Sequence, residues 1–232
     1  MEKLKKELRA CGSKKKAKIL AGFFKTGKGQ YGEGDVFIGV MVPVQRRIAK
    51  KYRDMTLADV TKLLHSREHE YRLTALFILV DQFACADELT KRKIYNLYLA
   101  NTKWINNWDL VDLSAYKIVG DFLADKDKGI LTKLAHSENL WERRIAVLST
   151  FAYIKDAKHE QAFHIAEILL EDKHDLIHKA VGWMLREVGK RCGQNIERQF
   201  LDKHYKVMPR TMLRYSLEHF SGSTRARYMN RG

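Results

Sequence analysis

Proline is scarce: Pro43 and Pro209 are the only two in 232 residues. A sandwich or barrel of short strands needs many turns, and turns draw heavily on proline, so the scarcity favours helix. Cysteine is scarce as well. Cys11, Cys85 and Cys192 are odd in number, lie far apart and form no CxxC pair. That argues against a disulfide framework or a thiolate metal site and fits a reducing compartment. No apolar run approaches the roughly 18 residues that a membrane-spanning helix needs. The opening MEKLKKELRACGSKKKAKIL is charged throughout and has no apolar signal-peptide core. The expected setting is the cytoplasm, with association to the nucleoid in a prokaryote. No GxSxG elbow or Cys–His nucleophile signature appears.

Positive charge is what the chain has in excess. Lys+Arg number 43 against 28 Asp+Glu, a formal net charge of +15. Residues 1–28 carry a net +8 and residues 173–232 another +8, while 29–172 are close to neutral at −1. Two basic ends around a neutral middle could form one concave basic surface if the chain curves, which suits a phosphate backbone. The plainer reading is a basic tail at each end with no joint purpose. With 45% hydrophobic residues the chain can still build a full core.

Apolar residues recur at helical spacing almost throughout. Leu73, Leu76, Phe77 and Val80 mark one helix face; Ile94, Leu97 and Tyr98 a second; Leu110, Leu113, Ile118 and Phe122 a third. Further faces follow at Ile145, Leu148, Phe151 and Ala152, at Ala162, Ile165, Ala166 and Leu169, and at Val181, Met184, Leu185 and Val188. Thr56 with Asp59 resembles a capping box. Pro43 and Pro209 each stand where a helix could start. Aligning EYRLTALFIL, WERRIAVLST and IHKAVGWMLR superposes Arg72, Arg143 and His178, 71 and 35 residues apart. A period of about 35 residues with two helices per period is close to that of HEAT-like solenoids. The expected fold is therefore all-α, a HEAT-like helical-repeat solenoid with a concave basic face, in a single domain over 1–232. Within it, 1–25 read as basic N-terminal helices, 26–43 as a glycine-rich connector, 44–220 as repeats and 221–232 as a flexible tail.

The connector TGKGQYGEGDVFIGVMVP formally contains GxGxxG at Gly27, Gly29 and Gly32. A dinucleotide site needs a strand before it and a helix after it; a lysine-rich helix precedes it and VFIGV follows, so that reading fails. It reads as a flexible link, or as a loop that brings Lys25 and Lys28 to a phosphate backbone. His65/His69 and His174/His178 have the i, i+4 spacing of paired metal ligands, but no third ligand stands out. They read as surface histidines.

The densest chemistry lies in WINNWDLVDLSAYKIVG. Trp108 and Asp112 are four apart and share a helix face. Arg143 and Arg144 follow in LWERR, and Trp183 and Arg186 in AVGWMLRE. Tryptophans in a repeat usually pack in the core, and Asp112 could be a buried carboxylate paired with an arginine of the next repeat, holding the stack without chemistry. The same residues could also make a cleft for a cationic sugar. Aromatic faces attract cations, a carboxylate stabilises an oxocarbenium ion and orients water, and arginine anchors phosphate.

Together, FFKTGKGQYGEGDVFIGVMVP, NNWDLVD, LWERRIAVL and HKAVGWMLRE, in this order and spacing, resemble the AlkD-like DNA alkylation repair glycosylases over nearly the whole chain. The resemblance implies excision of positively charged N-alkylated purines, of the 3-methyladenine and 7-methylguanine type, from double-stranded DNA. It implies action without base flipping, no metal and no cofactor. It places the catalytic Trp-x-x-x-Asp on Trp108 and Asp112, the second cleft tryptophan on Trp183, and the phosphate-binding arginine on Arg144. Arg143, Arg186 and Lys179 are expected to bind DNA phosphate as well. Phe23 or Phe24 stands where some members have tyrosine. A monomer that binds duplex DNA and no membrane is expected. A non-catalytic nucleic-acid binder and a protein-interaction solenoid are the rivals.

Overall fold

The chain begins with two helices of different character. α1 (Glu2–Ala10) buries Leu4 and Leu8, whereas α2 (Lys14–Phe23) buries nothing and carries four lysines. Ser13 caps α2, its hydroxyl accepting from the Lys16 amide. The computed structural model describes residues 1–230. It divides by its contacts into two compact units, Met1–Ser114 and Ala115–Gly232, where a single domain is expected from the sequence. Secondary structure is helical throughout the described residues, with one isolated parallel bridge between Val36 and Glu68. No helix among them is long and apolar enough to cross a membrane.

The first unit continues with α3 (Val42–Lys51), α4 (Leu57–Leu64), α5 (His69–Cys85), α6 (Glu88–Ala100) and the short α7 (Trp108–Asp112). Pro43 lies in the first turn of α3, where its missing N–H removes no intrahelical bond. Thr56 caps α4 by accepting from the Asp59 amide at 3.2 Å. α5 is the axis of this unit. Every residue from His69 to Leu79 is buried, and α3, α4, α6 and α7 pack around it. A helix buried on all sides has no single apolar stripe, which is why polar His69, Glu70 and Arg72 can stand inside as long as each finds partners.

The sequence suggests one helix over 110–122, and the structure breaks it. α7 ends at Asp112, a turn follows, and Tyr116–Gly120 form a π-helical turn in the second unit. Leu113 and Ile118 are five apart, a π spacing. Ser114 bonds back to the Leu110 carbonyl and pairs with Tyr98 Oη at 2.9 Å, drawing the chain away from regular helix.

The second unit holds α8 (Gly129–Ala135), α9 (Leu140–Ser149), α10 (Phe151–Ile154), α11 (Glu160–Ile168), α12 (Asp175–Arg191), α13 (Gln194–His204), α14 (Arg210–Ser216) and α15 (Gly222–Met229). α12 is its axis, packed on α9, α13 and α14. Gly182 permits the close approach of α14: a Cβ there would lie 2.4 Å from the Met212 carbonyl oxygen. α15 corrects the expectation of a flexible tail. Tyr228 is buried at 1% exposure and donates its hydroxyl to Asp202 at 2.7 Å. Residues 231–232 of that expected tail lie outside the described residues.

The 35-residue repeat has an atomic counterpart. Arg72 Nη1 donates to the carbonyls of Ser66 and Arg67. Arg143 Nη1 donates to those of Ser137 and Glu138. His178 Nε2 bonds the carbonyl of Asp172. Each aligned side chain thus reaches back to the carbonyl six residues earlier and closes the turn that starts its helix. Outward-turned carbonyls at such a turn need donors, and a long or ring-bearing donor in the second helical turn supplies them.

Candidate functional site

α7 projects Trp108 from its first position and Asp112 from its last, and both residues are half-buried. Asn107 caps the helix, its Oδ1 accepting from the Trp108 amide at 2.8 Å. The Trp108 indole lies against aromatic rings from α2 and its end. Phe24 stacks on it at 5.0 Å between centroids and 22° between planes, and Phe23 meets it edge-on at 5.7 Å. Phe24 is buried, whereas Phe23 is 62% exposed. Asp112 lies close enough to the buried Tyr98 to add to the effect of burial in raising that phenol's pKa.

Behind the indole is a buried charge cluster. His69 Nδ1 bonds Asp35 Oδ2 at 3.1 Å, and His69 Nε2 bonds Asp109 Oδ2 at 2.8 Å. Arg72 Nη2 donates to the other oxygen of Asp35 at 2.6 Å, and Asn107 Nδ2 donates to Asp35 Oδ2 at 3.3 Å. The side chains of His69, Asp35, Arg72 and Asp109 are all at most 7% exposed. Burial alone would lower the imidazolium's pKa, but the charge of Asp109 and the hydrogen bonds to both carboxylates outweigh it and lift His69 to about 9. Burial pushes Asp35 upward, and the bond to His69 and the charge of Arg72 prevail and hold it below its ordinary value. The cluster therefore contains an imidazolium at neutral pH, with two cations balancing two carboxylates.

The glycine-rich segment takes part in this cluster, which corrects its reading as a flexible connector. Glu70 accepts from the amides of Ile38, Gly39 and Val40, the shortest at 2.8 Å. The His69 amide donates to the Val36 carbonyl at 2.8 Å. Gly39 has φ +83 and lies so close to Ser13 that a Cβ would fall 2.1 Å from its carbonyl oxygen. Phe37 stacks on the His69 ring at 4.6 Å and on Phe24 at 5.2 Å.

The histidine pairs do not behave as pairs. His65 is exposed, bonded to Asn101 and stacked on Trp104. His69 is 1% exposed, so the surface reading is wrong for it: two carboxylates converge on its ring and stabilise it inside. His174 caps α12, its Nδ1 accepting from the Leu176 amide, and His178 closes the preceding turn.

The remaining sequence-derived residues lie in the second unit. Arg144 is buried and donates Nη1 to the Leu176 carbonyl. Arg143 directs Nε to Asp172 at 2.6 Å besides its two carbonyls. Arg186 pairs with Glu218, and Lys179 with Asp175 at 2.6 Å along an exposed flank of α12. Trp183 is half-buried, with Nε1 donating to Glu187 at 3.4 Å and Phe151 at 6.4 Å. Each unit therefore presents a half-buried tryptophan beside polar groups, and in the first a carboxylate ends the same short helix.

Sequence reasoning missed Asp35, His69, Arg72, Asn107 and Asp109. Their signal was available in part: Asn107 and Asp109 flank Trp108, and a His-Glu-x-Arg run opens an otherwise apolar helix.

The model of the DNA alkylation repair enzyme family matches residues 4–220. The fold is similar to that of a predicted DNA alkylation repair enzyme from Enterococcus faecalis, with a TM-score of 0.69 at 16% identity, covering 91% of this chain and 97% of that one. It is also similar to AlkD2 from Streptococcus mutans, with a TM-score of 0.53 at 16% identity over 94% and 97% of the two chains. The smu.31 protein of Streptococcus mutans UA159 gives 0.52 at 16% identity over 82% and 92%. At such identity these likenesses carry the alpha-helical repeat fold alone. No curated protein matches the chain.

Proposed function

The chain belongs to the DNA alkylation repair enzyme family, and from that premise we propose that it is a monofunctional DNA glycosylase. In this reading it hydrolyses the N-glycosidic bond of positively charged N-alkylated purines, of the 3-methyladenine and 7-methylguanine type, in duplex DNA. The observation that carries the reading is α7, which sets a half-buried indole and a half-buried carboxylate at its two ends.

An alkylated purine already bears positive charge and departs as a neutral base, so the departure needs little help from a general acid. The barrier lies in the cationic character that develops at the sugar C1′. Asp112 stabilises that charge and orients the attacking water, as carboxylates do in glycoside hydrolysis. The indole face of Trp108 adds a cation–π term of about 0.5–2 kcal/mol. Trp183 is assigned a second contact of the same kind to the deoxyribose. Lys179 and Arg186 exchange their present carboxylate partners for backbone phosphates. Arg144 is assigned a phosphate by the resemblance, and Arg143 mainly holds its turn.

Incubation of purified protein with methylated duplex DNA tests the reading. Wild type is expected to release methylated purines and leave abasic sites, and Asp112→Asn to lose about 100-fold or more of the release while keeping its fold and DNA affinity. No released base at large enzyme excess overturns the enzyme reading and favours a non-catalytic binder. Arg144→Ala should reduce the slope of log K against log salt by about 1 if Arg144 meets a phosphate; an unchanged slope removes it from the contacts.

A further inference from the structure

The buried cluster is more elaborate than a helix start requires. α9 and α12 begin with one local cap each, Asn139 and His174. The aligned position before α5 is Glu68, whose side chain makes no cap. Instead a carboxylate from the glycine-rich loop, an imidazole from α5 and a carboxylate from α7 meet in a line. That line ends on both sides of Trp108. Asn107 before it is tied to Asp35, and Asp109 after it is tied to His69. The ring of Trp108 rests on Phe24, which also packs on His69 at 5.0 Å and on Phe37. Backbone and ring of one residue are thus fixed by a single buried unit, and a helix of five residues could not hold them alone.

We propose that Asp35, His69 and Asp109 are positioning residues for Trp108, clamping the turn that presents its indole. The proposal rests on the reading of Trp108 as the indole that meets the sugar. None of the three is exposed enough to touch DNA; they act through Asn107, Trp108 and Phe24. The charged groups facing the imidazole are Asp35 from the loop and Asp109 from α7, with Arg72 one turn further along α5. Loss of the His69 proton leaves two buried carboxylates with only one cation between them. The neutral imidazole keeps one N–H for the two carboxylates, so its bond to either Asp35 or Asp109 is lost and the link between the loop and α7 behind the indole loosens.

Indole N–H signals of 15N-labelled protein test this directly, with Trp108 assigned by Trp108→Phe. In the wild type the Trp108 signal is expected to move with a midpoint near pH 9, following His69, while the Trp183 signal stays. In His69→Gln, checked for folding by circular dichroism, the Trp108 signal is displaced at neutral pH. With methylated DNA, kcat is expected to fall by about 10–100-fold while KM changes little, the mark of a misplaced group rather than lost binding. Asp35→Asn provides the second variant. A folded His69→Gln or Asp35→Asn with an unmoved Trp108 signal overturns the proposal. If neither variant folds, the wild-type titration decides, and a Trp108 signal without a midpoint near 9 overturns it. Failure of the glycosylase reading is separate: wild type then releases no base, while the indole signals still report whether the clamp holds Trp108.

Discussion

Arg72 and Arg143 stand at the same position of the repeat and close the same turn, yet they meet carboxylates from opposite directions along the chain. Asp172, the partner of Arg143, follows it by 29 residues and also accepts from the His174 amide at the start of α12. Asp35, the partner of Arg72, precedes it by 37 residues and shares its other oxygen with an imidazole. The residue aligned with His69 is Leu140. In the second unit the position is therefore closed by a local cap, an apolar side chain and one ion pair. In the first it holds a buried charge network that reaches α7. The repeat supplies the turn and its donor, while what fills the turn is free to differ. The filling differs most beside Trp108.

The strongest way to break this contrast is to remove the two arginines in turn. Arg72→Ala leaves Asp35 buried with one cation fewer and two carbonyls without their donor, so a loss of about 3–5 kcal/mol is expected. Arg143 is more exposed, at 18% against 3% for Arg72, and Asp172 keeps its backbone donor, so Arg143→Ala is expected to lose only about 1–2 kcal/mol. Urea unfolding of both variants measures this, and equal losses would erase the distinction between the two turns.

The next test uses pH. His69 titrates at about 9 in the fold against 6.5 ordinarily, so its protonated form favours folding. That contribution, about 3 kcal/mol, is fully present below pH 6.5 and is lost as pH rises through 9. Unfolding midpoints between pH 6 and 10 should show this loss in wild type and not in His69→Gln. The turn at Arg143 faces His174, whose pKa burial and the Arg143 charge hold below its ordinary value, so Arg143→Ala should leave the loss of stability on the alkaline side unchanged.

The smallest effect concerns the caps. Asn139→Ala should cost about 1 kcal/mol, because Asn139 Oδ1 accepts from the Trp141 amide. Glu68→Ala, at the aligned position, should cost less, since the loop rather than the Glu68 side chain receives the His69 amide. Equal losses at Glu68 and Asn139 would show the caps to be equivalent after all.

Much of this was legible in the chain. Apolar spacing located α5, α9, α11 and α12, because a helix that buries a face must repeat apolar residues at its own period. The alignment of Arg72, Arg143 and His178 found the repeat, because each turn needs a donor at one fixed offset. Where a helix departs from the regular period, as at Tyr116–Gly120, the spacing carried only the faint mark of Leu113 and Ile118. The tail was misjudged because its polar composition hides one anchoring residue, Tyr228.

Local spacing was enough for the helical class, for the repeat and for placing Trp108 and Asp112 on one short helix. Tertiary structure alone decided that Asp35, His69 and Asp109 belong together. They lie 34 and 40 residues apart in the chain, and the repeat does not announce them, since the positions aligned with His69 are Leu140 and Asp175. An imidazole becomes a buried cation only when carboxylates from separate elements converge on it, and that convergence exists only in the folded molecule.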